Sequence, residues 1–278
     1  MEDEEEAEEA TPEEKLQIAQ HFLLHSPPGQ FGEVLADVQA LVPGSMLDEG
    51  MIKGIARVYN CTNYRGARTD AGGHVILSKE GEIDLTHYVD TQTGNAFEVD
   101  HVSMEATLAE DFEGRGVDET AKAVEDKVRE YVMGQYSSDA ECAVYAVEAG
   151  LLVVVRSEKI NLRNYWSGNW ISTWNVYLGD APSIAGTLKI HAHYFEDGNV
   201  QLQTHKVVPA ATLPTGDIAA AIAAHIEAAE ADLQAALEQM YAGMSHETFK
   251  AMRRIMPITR TKMKWNINEV ALNINLRK

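Results

Sequence analysis

The hydrophobic positions of this chain change period several times along its length. Over residues 215–240, Ile218, Ile222, Ile226, Ala229, Leu233, Leu237 and Met240 follow one another at spacings of 4, 4, 3, 4, 4 and 3. That stripe predicts one long helix, capped by Thr215, ended at Gly243 and roughly 39 Å long at ~1.5 Å per residue. Its apolar face is suited to lie along a sheet or another helix. Shorter runs of the same period predict helices over 15–24 (Leu16, Ile18, Ala19, Phe22, Leu23), 31–41 (Phe31, Val34, Leu35, Val38, Leu41) and 47–59. Pro27, Pro28 and Gly29 separate the first two, and Pro43-Gly44 ends the second. Three short helices in series imply a small bundle or stalk. Residues 118–136, with Val124, Val128, Tyr131 and Val132 on one face, predict a further helix.

Between these stretches the pattern is that of strands. Gly72-Gly73, Val75-Ile76-Leu77, Glu80-Gly81, Ile83 and Leu85 predict short strands with tight turns, and residues 97–102 another. The strand signal is strongest over 142–208. Leu151 to Val155 is an unbroken apolar run, as in a strand buried on both faces. Strands over 170–178, 186–195 and 200–208 follow, the last two joined by Asp197-Gly198 as a two-residue hairpin turn. Successive antiparallel strands with short connections imply a meander sheet.

Composition narrows the classes. The chain has 278 residues, 45% of them hydrophobic, enough for one large domain or two small ones. No apolar run approaches the length of a membrane-spanning helix. Two cysteines, Cys61 and Cys142, argue against a disulfide scaffold and fit a reducing, cytosolic setting. The start, MEDEEEAEEATPEE, carries nine acidic residues and no basic one; it reads as a solvated, disordered tail rather than a leader peptide. Charge is distributed unevenly. The chain carries −20 overall, yet residues 245–278 hold eight Lys or Arg against two Glu, net +6, which leaves −26 on the rest. Such a basic segment attracts and steers acidic macromolecules, and here it also carries Trp265, Ile267, Val270 and Ile274 as apolar anchors.

Candidate chemistry is thin by comparison. His191, His193 and His205 could form a zinc triad on adjacent strands. A hairpin closed by Asp197-Gly198 pairs His191 with Thr204 and His205 with Ile190, which puts His205 on the opposite face from the other two. No metal site is therefore expected, and no cofactor. Walker-type loops and Ser or Cys nucleophile elbows are absent, so no catalytic residue is assigned and nucleic acid is not an expected partner. The aromatic run from Tyr165 to Trp170, with Trp174, is read as core and sheet packing in preference to a ligand site. Residues 249–256 form an amphipathic helical pattern stopped before Pro257, with Lys250 and Arg254 sharing its outer face. Beyond Trp265, Ile267, Val270, Ala271 and Ile274 fit a helical stripe, while Val270, Leu272, Ile274 and Leu276 alternating with Asn273 and Asn275 fit a strand equally well; the helix is preferred.

Two motifs resemble a known family. The sequence HYFEDGNVQL from His193 to Leu202 closely resembles a signature of the F-actin capping protein alpha subunit, and FKAMRRIMPITRTK from Phe249 to Lys262 resembles the family's second signature. NYWSGNW at 164–170 and HSPPGQF at 25–31 are similar to it as well. The resemblance runs in order over residues 15–265. It implies an α+β fold: an N-terminal three-helix stalk (15–62) after an acidic disordered tail (1–14), then a small β globule (63–115). A dimerisation core (116–244) follows, with a five-stranded antiparallel half-sheet crossed by a long helix, and a basic segment ending in an amphipathic tentacle (245–278) closes the chain. It further implies that a similarly folded beta subunit completes a ten-stranded sheet. The function implied is calcium-independent capping of actin filament barbed ends, which is binding and not catalysis, in the cytoplasm and cytoskeleton. Lys250, Arg254 and Lys262 match the family's actin-facing positions. Arg253 and Arg260 support them, and Trp265, Ile267, Val270 and Ile274 form the apolar tentacle face. Anionic phosphoinositides are implied as competitors for the same basic patch. The alternative is a structural subunit of a larger cytoskeletal assembly, dynactin-like, in which the heterodimer caps an actin-related filament.

Overall fold

The computed structural model describes residues 10–243 apart from 45, 113, 115, 137–139 and 197. The chain comprises two compact units, Met1–Glu227 and Ala228–Lys278. The first helix, α1 (Pro12–Leu24), starts three residues before its apolar periodicity does. Its start is polar: the Thr11 hydroxyl accepts from Glu14 N (3.3 Å), and the Glu14 carboxylate accepts from Thr11 N (2.8 Å). This reciprocal capping box with Pro12 in the first turn satisfies donors that would otherwise be orphaned. Helix α2 (Phe31–Leu41) spans the predicted residues. Helix α3 (Glu49–Thr62) opens on an Asp48 cap, whose carboxylate accepts from Met51 N at 2.8 Å. The three helices share one core built from Leu23, Phe31, Leu35, Val38, Ile55 and Tyr59, among others. Tyr59 stacks on Phe31 with ring centroids 5.0 Å apart and donates to the Ser26 carbonyl (3.2 Å); burial pushes its hydroxyl up to about 12.

A small mixed sheet follows, with β1 (Gly66–Thr69), β2 (His74–Ile76), β3 (His87–Val89), β4 (Ala96–Asp100) and β5 (Glu105–Leu108) in the order β2-β1-β5-β4-β3. Only β1 and β5 run parallel. The predicted strand residues Ile83 and Leu85 lie outside it. Asp84 makes a turn there, accepting from Thr86 N (2.9 Å) and His87 N (2.8 Å), and those bonds hold its carboxyl down to about 2. Leu85 is exposed, and the strand begins two residues later at His87. Cys61 at the end of α3 plugs this sheet's core with Ala67, Val75, Leu77, Tyr88 and Val99.

Helix α4 (Glu119–Gln135), capped by Asp118, buries Val124, Val128 and Val132 and leads into the second sheet. Its strands are β6 (Ala140–Val147), β7 (Gly150–Asn161), β8 (Trp166–Tyr177), β9 (Ser183–Tyr194) and β10 (Val200–Thr212), and they lie in chain order, all antiparallel. Leu151 to Val155 are all buried, as their apolar run predicts. Side chains alternate between faces. On one face, Glu125 of α4 binds β6 through Val144 N (3.3 Å), and His225 of α5 (Ile218–Gly243) packs edge-on against Trp174, centroids 5.8 Å apart. Ile222 and Ile226 of α5 are fully buried. The cap of α5 is Asp217, which accepts from Ala220 N (3.1 Å), rather than Thr215. On the other face, Tyr145 of β6 donates to the Ile76 carbonyl (3.0 Å) and Gln30 at the start of α2 reaches β8 and β9. The sheet is thus covered on one side by helices and on the other by the stalk and the small sheet.

The β9–β10 register differs from the predicted one. Tyr194 pairs with Val200, and the ladder continues as His193–Gln201, His191–Gln203 and Lys189–His205. A two-residue turn would pair Tyr194 with Gln201 instead. Shifting the pairing by one residue inverts faces, so His205 shares a face with His191 and His193 and the facial argument against a triad fails. The metal reading gains nothing from it: among the described residues no group of three His, Cys, Asp or Glu is placed to hold a metal ion.

Two features of the sheet can be tested by substitution. Gly186 lies under the fully buried Trp174 ring, its Cα partner on β8, and a Cβ there would fall among the ring carbons. Gly186→Val is expected to destabilise by about 1–3 kcal/mol through overpacking, and Trp174→Ala by about 3–5 kcal/mol through the cavity it leaves. Urea midpoints equal to that of the unaltered protein would contradict both. On the stalk side, Glu141 pairs with His74 and with Arg156 (2.7 Å), which in turn holds Glu158 (2.6 Å). Burial pushes the Glu141 carboxyl up, but the His74 hydrogen bond and the Arg156 charge outweigh it, and the net shift is downward. A depressed carboxyl stabilises fully above the ordinary carboxylate range and loses that contribution as pH falls through its folded value. Glu141→Gln is therefore expected to cost about 1–3 kcal/mol at neutral pH, with the difference shrinking in acid. Stability curves that stay parallel down to about pH 3 would refute it.

Candidate interaction surface

The sequence-predicted site residues Lys250, Arg253, Arg254, Arg260, Lys262, Trp265, Ile267, Val270 and Ile274 all lie outside the described residues. What the described residues present is the surface of the second sheet.

Its first feature is an edge. Strand β10 is thirteen residues long and, among the described residues, pairs only with β9. Along its other side runs a row of backbone donors and acceptors with no ladder partner. A strand of this length and exposure is a template for another strand. The protections that natural edges use are sparse here. There is one lysine, Lys206, and one proline, Pro209, at the irregularity between Val208 and Ala211. Val200 and Val207 stand 62% and 64% exposed on it. The sequence carried a sign of this in Gln201, Gln203 and His205 alternating with Leu202 and Thr204, a half-buried pattern with no charged blunting.

The second feature is the junction between stalk and sheet. The Gln30 amide approaches Ser167 Oγ (3.0 Å) and His193 Nδ1 (2.7 Å), and His193 Nε2 meets Asn199 Oδ1 (3.1 Å). Gln30, Ser167 and His193 are all buried. These polar groups therefore satisfy one another between elements some 160 residues apart in sequence. Gly29, at φ +74°, lies against Ile160 where any side chain would clash, so the turn between α1 and α2 sits directly on β7. The two motifs HSPPGQF and NYWSGNW meet here. The aromatic cluster divides accordingly: Trp174 is core, whereas Tyr165 and Trp166 remain partly exposed at the sheet end, Tyr165 against Phe195 at 5.7 Å.

Neither cysteine is set up for chemistry. Both are buried and free, and burial raises both thiols, that of Cys142 to about 12. No described helix is long and apolar enough to cross a membrane.

Among the described residues, five α-helices, a small mixed sheet and a five-stranded antiparallel meander sheet with an exposed thirteen-residue edge strand define an α+β class of fold. The comparisons agree with that class. The F-actin capping protein alpha subunit family matches residues 19–275, and the chain belongs to that family. It is similar to F-actin-capping protein subunit alpha of Dictyostelium discoideum, at 33% identity over 92% of this chain and 95% of that one. The corresponding protein of Caenorhabditis elegans is 30% identical over 91% and 93%. Among solved structures, the homodimeric actin capping protein alpha subunit from Plasmodium berghei superposes with a TM-score of 0.71 at 24% identity, covering 90% of this chain and all of that one; at that identity it supports the fold alone.

The open edge has a measurable consequence. Purified without a partner, the chain is expected to self-associate, and Val200→Lys with Val207→Lys should weaken that association about tenfold by placing charge on the edge. Sedimentation showing a concentration-independent monomer for the unaltered chain would contradict this.

Proposed function

We propose that this chain is the alpha subunit of a heterodimeric actin capping protein that binds filament barbed ends independently of calcium and blocks subunit exchange there. Family membership over residues 19–275 is the observation that carries the reading. Two further features favour it. The long open edge of β10 suits a similarly folded beta chain, whose strands would extend the five-stranded sheet to ten. The basic segment, net +6 on a chain otherwise at −26, suits an acidic filament end. In this reading Lys250, Arg254 and Lys262 face actin, with Arg253 and Arg260 beside them, and Trp265, Ile267, Val270 and Ile274 present the apolar face that fills a hydrophobic groove. Each exposed ion pair contributes about 0–1 kcal/mol, so tight capping needs several contacts at once. The chain acts by binding, in the cytoplasm and on the cytoskeleton, and anionic phosphoinositides compete at the same basic patch.

Reversing the charge at Lys250, Arg254 and Lys262 together is expected to weaken capping by at least about tenfold while leaving the heterodimer assembled. Inhibition of pyrene-actin elongation from filament seeds, with and without a calcium chelator, measures it. Unchanged inhibition by the triple variant would refute the site, and loss of capping on chelation would refute calcium independence. Isolation of the chain from native extract tests the partner. A beta chain at equal stoichiometry supports the heterodimer, whereas a second copy of this chain, the arrangement named for the Plasmodium berghei protein, replaces it.

A further inference from the structure

The β9–β10 ladder puts Lys189 directly opposite His205, with His191 one pair further along on the same face. Side chains so opposed have Cβ atoms about 4.5–5.5 Å apart, where like charges repel. Together with the stalk these three groups enclose a cavity of about 280 Å³, walled by Ser26 after α1 and Asn63 after α3 and floored by Asn169 of β8. Among the described residues no Asp or Glu lines it, although the chain holds 43 acidic residues against 23 Lys and Arg. The cross-strand row containing Lys189 shows the contrast. It reads Glu141, Arg156, Ile171, Lys189, His205. Its first two members neutralise each other (2.7 Å), and beyond Ile171 the row ends in two basic groups.

The surrounding titratable groups do not cancel this charge. Glu158 shares the row of His191, two strands away, but is held by Arg156 (2.6 Å) and Arg65 (3.8 Å). Tyr59 on α3 keeps its proton. Lys189 also lines the adjoining groove, which holds Glu80 together with Lys79. Lys189, His191 and His205 line the cavity from the sheet edge, Asn169 from β8 and Asn63 from the stalk, and the His191 Nε2 also meets Gln201 Oε1 and Gln203 Nε2, each at 3.3 Å. Asn63 gives one hydrogen to the Tyr59 carbonyl (2.8 Å) and retains the other. Three basic side chains with amide donors beside them suit an oxyanion of more than one charge, such as a phosphate, better than a singly charged carboxylate.

We infer that the cavity between the stalk and strands β8–β10 is an anion site that takes a phosphate group carried by a small soluble ester or by a lipid headgroup. It lies within the first unit, where the stalk meets the sheet, and uses none of the residues proposed to meet actin. Burial, with the neighbouring His193 ring, lowers the His191 pKa against the opposing pull of its Gln201 hydrogen bond, and a bound anion offsets that cost, so occupancy strengthens as pH falls through the imidazole range.

The test uses the full-length protein with glycerol phosphate, and in parallel phosphatidylcholine vesicles with and without phosphatidic acid. Glycerol phosphate is expected to shift the ring signals of His191 and His205, to bind more tightly at about pH 6 than at about pH 8, and to lose affinity about tenfold in Lys189→Gln/His205→Gln. That variant, relieved of the repulsion, should melt no lower than the unaltered protein in phosphate-free buffer and should lose the rise in melting temperature that the ester produces. Binding of phosphatidic acid vesicles without binding of the free ester, and dependent on the same two residues, assigns the phosphate to a headgroup. No binding of either probe, equal binding by the double variant, or a lower melting temperature in phosphate-free buffer would overturn the proposal.

Discussion

The register of the five-stranded sheet is the constraint on which the rest of this structure depends. Its strands run as antiparallel ladders, interrupted only between Val208 and Ala211 among the described residues, and up to that point each cross-strand row keeps one face from β6 to β10. One set of rows, through Val153, Trp174 and Gly186, meets the helices. The other, through Arg156, Ile171 and Lys189, meets the stalk and the small sheet. A slip of one residue would send Trp174 toward the polar junction and Arg156 toward the helices. Burial therefore specifies the register wherever both faces are covered. Packing reinforces it at two close approaches, Trp174 over Gly186 and Ile160 over Gly29, where no larger residue fits.

The same register explains what is left exposed. Burial is heaviest in the middle of β6, β7 and β8 and declines toward β10, none of whose residues is buried and where half-buried and exposed positions largely alternate. The proposed function gives this asymmetry a reading, since an edge strand that pairs with a second chain would be buried by association rather than by its own chain. The stalk is joined to the sheet by groups that satisfy each other, Gln30 with Ser167 and His193, and Glu141 with Arg156 and His74. The cavity beside that joint gathers Lys189, His191 and His205, and among the described residues no carboxylate lines it.

Much of this was legible in the sequence. The helix at Phe31–Leu41 and the apolar run from Leu151 to Val155 were readable because burial is repeated over several residues. The start of α1 escaped because its determinant is polar: Thr11 and Glu14 cap one another before the apolar stripe begins. Strands β1, β3 and β5, three or four residues each, escaped because segments so short carry no periodicity of their own and owe their conformation to their neighbours. The β9–β10 register was misread because Asp197-Gly198 resembles a two-residue turn. The actual pairing is fixed along nine successive pairs, from Tyr194–Val200 to Gly186–Val208, and by burial of His193 against Gln30. The proposed actin-facing residues were found by motif and not by periodicity, since their pattern past Trp265 fits helix and strand alike.

In the proposed function this sheet is half of a larger one, completed along β10 by a partner chain. Amide hydrogen exchange across Val200–Thr212, compared between the isolated chain and the assembly recovered from native extract, tests it most directly. The account predicts that alternate β10 amides, those without a β9 acceptor, exchange freely in the isolated chain and become protected in the assembly, while protection in β7 and β8 is unchanged. Equal exchange along β10 in both states would contradict it.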